Sequence, residues 1–189
     1  SQQPRVTLRR NGGKLTARTP AVRTVNGTAE GFSPEMSVRP AEKRDVGVIM
    51  GFIKELAEYE GLAHEVIADE TSLERFLFGE HPVAEALIAE FQTTPIGFAL
   101  YFTTFSTFVG RPGLYLEDLY VRPNMRGKGV GTLLLQHVAR LARERGCGRL
   151  EWSVLNWNKP AIRFYEALGA RAMDDWTGYR LTDDNLPKL

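Results

Sequence analysis

The sequence lacks several features that would place a protein in a class at once. It has a single cysteine, Cys147, which excludes an internal disulfide framework and suits a cytoplasmic protein. No apolar run approaches the roughly 20 residues that a membrane-spanning helix needs, so no membrane partner is expected. The net charge of +1 gives no case for a general nucleic-acid binder. His64 and His81 are too isolated to form a metal site with the cysteine, so no metal is expected.

Positive charge is abundant only near the beginning of the chain. Residues 1–37 carry a net charge of +4, whereas residues 38–189 carry −3. The first segment is rich in Thr, Gly, Arg and Asn and has no sustained apolar period, so it predicts a disordered basic extension without a core of its own. Residues 38–189 contain enough apolar residues for one globular domain.

Hydrophobic periodicity in residues 38–189 predicts alternating strands and helices. Apolar residues at helical spacing predict helices at 42–59, 69–78, 127–146 and 158–170. Short runs rich in β-branched and aromatic residues predict strands at 37–41, 84–91, 96–105, 113–121, 149–155 and 178–182. The order β-α-α-β-β-β-α-β-α-β indicates an α/β (α+β) fold in which a mixed sheet is flanked by helices.

The stretch NMRGKGVGTLLLQHV, residues 124–138, places three glycines directly before a helical pattern. Glycines leave backbone N–H groups uncovered, a helix N-terminus adds roughly half a positive charge, and Arg126 and Lys128 add full charges. The stretch therefore predicts a phosphate or pyrophosphate site, with a tight turn against the sheet as the alternative. It is not a P-loop, because Gly129 follows Lys128 where Ser or Thr is required. It is not a dinucleotide fingerprint, because Leu134 occupies the place of the third glycine.

The glycine stretch resembles the acetyl-CoA loop of the GNAT superfamily of N-acetyltransferases. That loop reads Arg/Gln-x-x-Gly-x-Gly/Ala, and residues 126–131, RGKGVG, match it at every fixed position. A second family mark is WNKPAIRFYEALGA at 157–170, where an Asn opens a short helix and a Tyr follows one to two turns later. Together with IKELAEYE at 53–60 and YLEDLYV at 115–121, these stretches are similar to the spermidine/spermine and thialysine N-acetyltransferase family over about residues 38–182.

This resemblance implies a GNAT fold with a mostly antiparallel sheet and a definite chemistry. The expected enzyme transfers the acetyl group of acetyl-CoA, without a metal, to a primary amine of a small diamine, polyamine or thialysine-like amino acid. Transfer would be direct, in a ternary complex, and the family implies a homodimer. Two alternatives stay open: an acetyltransferase for protein lysines or N-termini, and a non-catalytic CoA-binding sensor on the same fold.

Acetyl transfer to an amine benefits from a base. An alkyl ammonium has a pKa of about 10.4, so only about one molecule in a thousand is the free nucleophile near neutral pH. Glu117 and Asp118 are the candidates, although neighbouring strand residues point to opposite faces unless the backbone bulges, and both could instead cap a sheet edge. The resemblance implies that Glu117 contacts the amine and passes its proton through water. The implied acceptor-binding residues are Tyr59, Glu60, Glu117 and Asp118.

The resemblance also implies roles at the cofactor end. Tyr165 would protonate the leaving CoA thiolate, at a cost of roughly 2 kcal/mol for an ordinary tyrosine, because its pKa is near 10 and that of a thiol about 8.5. Backbone N–H groups of residues 119–121 would hold the oxyanion. The implied acetyl-CoA contacts are Leu119, Tyr120, Val121, Arg126, Gly127, Lys128, Gly129, Val130, Gly131, Thr132, Asn158, Lys159, Ala161 and Tyr165.

Overall fold

The computed structural model describes residues 35–182 and 185–186. In this part of the chain a five-stranded sheet runs in the order β1 (Met36–Pro40), β2 (Glu85–Phe91), β3 (Thr94–Ser106), β4 (Arg111–Val121) and β5 (Leu150–Trp152). The helices are α1 (Val46–Glu60), α2 (Glu70–Phe78), α3 (Val130–Glu144) and α4 (Lys159–Ala167). Strands β1 to β4 pair antiparallel and β5 pairs parallel with β4. The predicted fold class, a mixed and mostly antiparallel sheet flanked by helices, is confirmed.

Helices cover both faces of the sheet. On β2, the side chains of Leu87 and Ala89 belong to a core that contains the buried face of α3, whereas Ala86 and Ile88 belong to a second core with α1 and α2. This alternation follows from the period of two along a strand. Because both faces are buried here, the middle of β2 (residues 86–89) and of β3 (residues 96–101) are continuous apolar runs in the sequence.

Two of the predicted sheet segments differ from the structure. The strand predicted at 178–182 does not form within the described residues, because neither face of this segment is buried: Tyr179 is 94% exposed and Leu181 is 51% exposed. The strand predicted at 149–155 is shortened to β5, and residues 153–157 leave the sheet.

The first strand begins slightly earlier than the sequence predicted. Met36 and Ser37, the last two residues of the predicted basic extension, lie in β1, and Glu35 forms a turn before them. Residues 1–34 of that extension lie outside the described residues. Among the residues described, no helix combines the length and hydropathy needed to cross a bilayer.

Strand β4 carries a β-bulge at Glu117. Asp118 pairs with Leu100 of β3 and Leu116 pairs with Tyr101, so Glu117 is an extra residue with no partner in this ladder. On its other side, β4 pairs with β5 only as far as Leu116 and Trp152. In the described part of the chain, residues 117–121 therefore have no strand beside them on the β5 side, and a gap opens there.

Two backbone N–H groups of β4 point into this gap. The N–H of Arg122 donates to the carbonyl of Ile96 at a distance of 3.0 Å. Ile96 directly precedes Gly97, where the pairing of β3 with β4 begins. Because successive N–H groups along a strand point to opposite sides, those of Val121 and Leu119 face the gap. The bulge and the early end of β5 thus leave donors free that an unbroken ladder would use.

Gly97 of β3 allows the end of β4 to lie close. It pairs with Val121, and a Cβ atom at this position would lie 2.5 Å from the carbonyl oxygen of Tyr120. A side chain here would push β4 away from β3. The position of the free N–H groups therefore depends on a residue without a side chain.

We expect Gly97→Ala to lower the free energy of unfolding by about 1–3 kcal/mol, because overpacking forces the backbone of β4 to shift. Urea denaturation measures the effect. Gly51→Ala is the matched control: a Cβ at Gly51 in α1 meets no atom within 4 Å, so alanine should stabilise the helix by up to about 1 kcal/mol. Equal effects of the two substitutions would contradict the close approach.

Candidate active site

A cavity of about 1080 Å³ lies where β4 and β5 part. Its walls come from the end of α1, residues 116–121 of β4, the loop before α3, residues 152–155 and α4. It brings together most of the predicted site residues, namely Tyr59, Glu60, Glu117, Asp118, Leu119, Tyr120, Val121, Arg126, Gly127, Gly129, Val130, Gly131, Thr132, Asn158, Ala161 and Tyr165. Lys128 and Lys159 do not line the cavity, and both are exposed.

The glycine loop, residues 126–131, leaves the first turn of α3 open. Gly127 and Gly129 have φ angles of 71° and 84°, in the left-handed region that favours glycine. Gly129 is the N-cap of α3, and no side chain among the described residues caps that helix end. The first N–H groups of a helix have no partner within the helix. The loop therefore presents backbone donors and the positive end of the helix to the cavity.

Arg126 is held against the cavity wall. Its guanidinium lies over the rings of Tyr59 and Tyr120, with 4.6 and 5.5 Å from Cζ to the ring centroids. Its Nε donates to the carbonyl of Val121 at 2.9 Å, which fixes the end of β4. Arg126, which was predicted from the sequence to bind a phosphate, thus also connects the glycine loop to β4 and α1.

Three carboxyl groups line the cavity. Neighbouring strand residues can face the same side only where the backbone bulges, and the bulge at Glu117 allows Glu117 and Asp118 to line the same cavity. Glu60, at the end of α1, also lines it. Burial, then the nearby charges of Glu117 and Glu60, raise the pKa of Asp118 to about 6. Burial also raises the pKa of Glu60. None of the three forms a salt bridge with a cation in the described part of the chain, so the cluster suits a cationic ligand.

Tyr165 reaches the cavity from α4. The helix begins at Asn158, whose side-chain Oδ1 accepts from the N–H of Ala161 at 3.3 Å, and Pro160 lies in its first turn. The Tyr165 ring packs on Trp152, with 4.9 Å between centroids. Burial, and secondarily the charge of Glu60, raise the pKa of Tyr165 to about 12. Its hydroxyl group keeps its proton and has no hydrogen-bond partner within the described residues.

Tyr59 links the two ends of the cavity. Its hydroxyl group donates to Oδ1 of the buried Asn158 at 3.3 Å, and its ring carries the guanidinium of Arg126. One side chain of α1 therefore contacts both the glycine loop and the start of α4.

Several lining residues had no signal in the sequence. The apolar wall includes Leu56, Leu62, Met125 and Phe164, which resemble any core residue in a periodic pattern. Residues 153–155 line the cavity because β5 ends early, which depends on strand pairing rather than on local sequence. Arg180 also lines it, in the segment that the sequence assigned to a strand of the sheet.

Comparisons with known proteins identify a family and several similar proteins. The model of the acetyltransferase (GNAT) family matches residues 46–170. A thialysine N-epsilon-acetyltransferase of Mus musculus is 38% identical, over 80% of this chain and 95% of the relative. An L-ornithine N5-acetyltransferase of Arabidopsis thaliana is 32% identical, over 80% of this chain and 86% of the relative. An integron cassette protein from the mobile metagenome of V. cholerae has a similar structure, with a TM-score of 0.68, 28% identity and coverage of 82% of this chain and 96% of its own.

The chain therefore belongs to the GNAT family of acetyltransferases. It is an enzyme of the N-acetyltransferase class, and the resemblance found in its sequence is confirmed.

We expect Asp118→Asn to stabilise the protein near neutral pH. Folding raises the pKa of this carboxyl from 3.8 to about 6, so its ionisation opposes folding fully above about pH 6, and the opposition fades as the pH falls toward 3.8. At about pH 7.5 the gain should approach, at most, about 3 kcal/mol. Chemical denaturation at about pH 7.5 and about pH 4 measures it, and most of the gain should be gone at the lower pH.

The exposed Asp174, which does not line the cavity, provides the control. Asp174→Asn should change the unfolding free energy by less than about 0.5 kcal/mol at either pH. A destabilising effect of Asp118→Asn near neutral pH would contradict the unpaired acidic cluster.

Proposed function

We propose that the enzyme transfers the acetyl group of acetyl-CoA directly to a primary amine of a small diamine, polyamine or thialysine-like amino acid. One observation carries this proposal: the cavity between β4 and β5 unites an open glycine loop, three carboxyl groups and a protonated tyrosine. These are the parts needed to bind a phosphate-bearing thioester, attract an amine and protonate a thiolate. The thialysine and ornithine acetyltransferases among its relatives are named for small amino acids with a terminal amine.

The glycine loop and α3 would bind the pyrophosphate of acetyl-CoA. Support comes from the left-handed glycines, the uncapped first turn of α3 and the adjacent Thr132. The N–H groups of Leu119 and Val121, which face the gap, would bind the arm and the carbonyl oxygen of the thioester. Asn158 and Ala161 would contact the arm from α4. Lys128 and Lys159 remain proposed contacts outside the cavity wall.

The pKa of Asp118 suggests how the roles of the three acids differ. A proton acceptor works best when its pKa lies near the operating pH, and the raised pKa of Asp118 fits this requirement. We therefore assign the proton-accepting role, which the sequence favoured for Glu117, to Asp118, with Glu117 and Glu60 holding the ammonium group. The neutral amine nitrogen then bonds to the acetyl carbon and the C–S bond breaks. The nitrogen loses its second proton as the amide forms, and this loss balances the proton that Tyr165 donates to the sulfur.

Tyr165 would return a proton to the departing thiolate. With its pKa near 12 and that of a thiol about 8.5, a complete transfer is uphill by roughly 5 kcal/mol, more than the 2 kcal/mol for an ordinary tyrosine. The hydroxyl group must therefore already be hydrogen-bonded to the sulfur as the bond breaks. Its lack of a partner among the described residues leaves it free for that contact.

The alternatives fit the cavity less well. A protein substrate requires a groove that admits a chain, whereas the unpaired carboxylates suit a small cation. A non-catalytic sensor has no use for a buried, protonated Tyr165 beside the acids. We also propose a cytoplasmic homodimer, supported by the single cysteine and by the exposed Trp176 and Leu181, which a second copy would cover. A monomeric mass in light scattering would refute the dimer.

Initial rates of thiol release from acetyl-CoA test the function. The panel contains diamines, polyamines, basic amino acids including thialysine, and a lysine peptide. We expect at least one small amine to be a strong substrate and the peptide to be inactive. Tyr165→Phe should lower kcat by about a hundredfold or more, whereas Tyr179→Phe, at an exposed tyrosine outside the cavity, should not. Activity on the peptide alone, or full activity of Tyr165→Phe, would overturn the proposal.

Substitutions of the glycines at the two ends of α3 test the binding of acetyl-CoA. Gly129→Asp should raise the Kd for acetyl-CoA by about tenfold or more, because it places a carboxylate at the proposed phosphate site. Gly146→Asp is the control: Gly146 also has a positive φ, 68°, but it follows the other end of the helix and does not line the cavity. Isothermal titration calorimetry measures both variants. Equal affinities would place the cofactor elsewhere.

A further inference from the structure

Arg180 is a charged residue of the cavity that the proposed mechanism does not use. It lies beyond α4, in the segment that does not join the sheet, and it lines the same cavity as the acids. Its guanidinium forms no hydrogen bond or ion pair with any residue in the described part of the chain. Apart from Arg126, it is the one cationic side chain among the described lining residues.

Arg126 and Arg180 differ in how many contacts their guanidinium groups make with the described residues. Arg126 is held by two aromatic rings and by the carbonyl of Val121. Arg180 has no such contacts with the described residues, so within this part of the chain its planar fork of donors is available for an anionic group. The pyrophosphate of acetyl-CoA already has the glycine loop and the first turn of α3 as proposed partners, so Arg180 is not needed to bind it.

Charge balance indicates what this group is. A diamine or polyamine carries only ammonium groups, and Glu60, Glu117 and Asp118 supply enough negative charge to hold them. An arginine in the same cavity would repel such a polycation. An amino acid with a distal amine carries two ammonium groups and one carboxylate. Three acids, together with an arginine that has no partner among the described residues, complement that pattern of charges.

We propose that Arg180 binds the α-carboxylate of the acceptor and makes the enzyme prefer an amino acid over the diamine that lacks this carboxylate. The proposal rests on the proposed function and narrows its substrate class. Arginine suits this role because its guanidinium can donate two parallel hydrogen bonds to one carboxylate. Thialysine and ornithine, for which two of the relatives are named, both carry such a group.

Matched substrate pairs give the test. Lysine and cadaverine, ornithine and putrescine, and thialysine and bis(2-aminoethyl) sulfide differ only in the α-carboxylate. For each pair, kcat/KM is measured by thiol release with the full-length protein. The wild type should favour the amino acid, and Arg180→Gln should reduce the ratio of the two kcat/KM values by about ten- to a hundredfold. Arg180→Lys should restore part of the preference, because it retains the charge without the fork.

A control variant separates this role from a general charge effect. Arg171 is an exposed arginine of the same C-terminal segment that does not line the cavity, and Arg171→Gln should leave the ratio unchanged. Replacing lysine by its carboxamide should imitate Arg180→Gln in the wild type and change little further in the variant.

Each other outcome overturns the assignment. An unchanged ratio in Arg180→Gln, or an equal loss on both members of a pair, means that Arg180 does not read the carboxylate. A raised KM for acetyl-CoA with an unchanged ratio means that it binds a cofactor phosphate instead. If the wild type acetylates no member of any pair and no polyamine either, the proposed function fails as well, which distinguishes that failure from the failure of Arg180 alone.

Discussion

The site depends on the parting of β4 from β5 after the pair formed by Leu116 and Trp152. A sheet with an unbroken ladder here would use the N–H groups of β4 and leave no cavity. The bulge at Glu117 adds a residue at the same place, so that two consecutive acids can share one wall. A local loss of strand pairing thus provides both the space and the donors, and the antiparallel strands β1 to β4 supply the rigid support around it.

Burial raises the pKa of both proposed proton-transfer groups, Asp118 and Tyr165, but the consequences differ. It raises the pKa of Asp118 to about 6, close to the pH at which a base is needed, and that of Tyr165 to about 12, so that this group stays protonated. Glu60 contributes to both effects through its charge. The same unpaired acids oppose folding near neutral pH. The cavity is therefore a place where stability is reduced in favour of binding and catalysis.

Local patterns in the sequence predicted those parts of the fold that depend on neighbouring residues. The helical period and the glycines gave α3 and its loop, and an Asn followed by an early Pro gave the start of α4. Features set by distant partners could not be read in this way. The bulge at Glu117 depends on the register with β3, and the segment 178–182 has a strand-like pattern but no face that the fold buries.

The same distinction between local patterns and distant partners applies to the site residues. The positions of the acids and of Tyr165 followed from motif resemblance, and the structure places them on one cavity. The orientation of Arg126 did not follow, because its partners Tyr59 and Tyr120 come from α1 and β4. Nor did the presence of Arg180, whose segment has no distinguishing pattern. Side chains brought together by the chain's path require the structure.

The acidic cluster also has a consequence for turnover. Under the proposed function, acetylation converts a charged ammonium group into a neutral amide, so the product carries one positive charge fewer than the substrate. Glu60, Glu117 and Asp118 have no described cation to satisfy them and attract the substrate more strongly than the product. The reaction thus weakens the electrostatic attraction that brought the amine in, and the chemistry itself promotes release of the acetylated molecule.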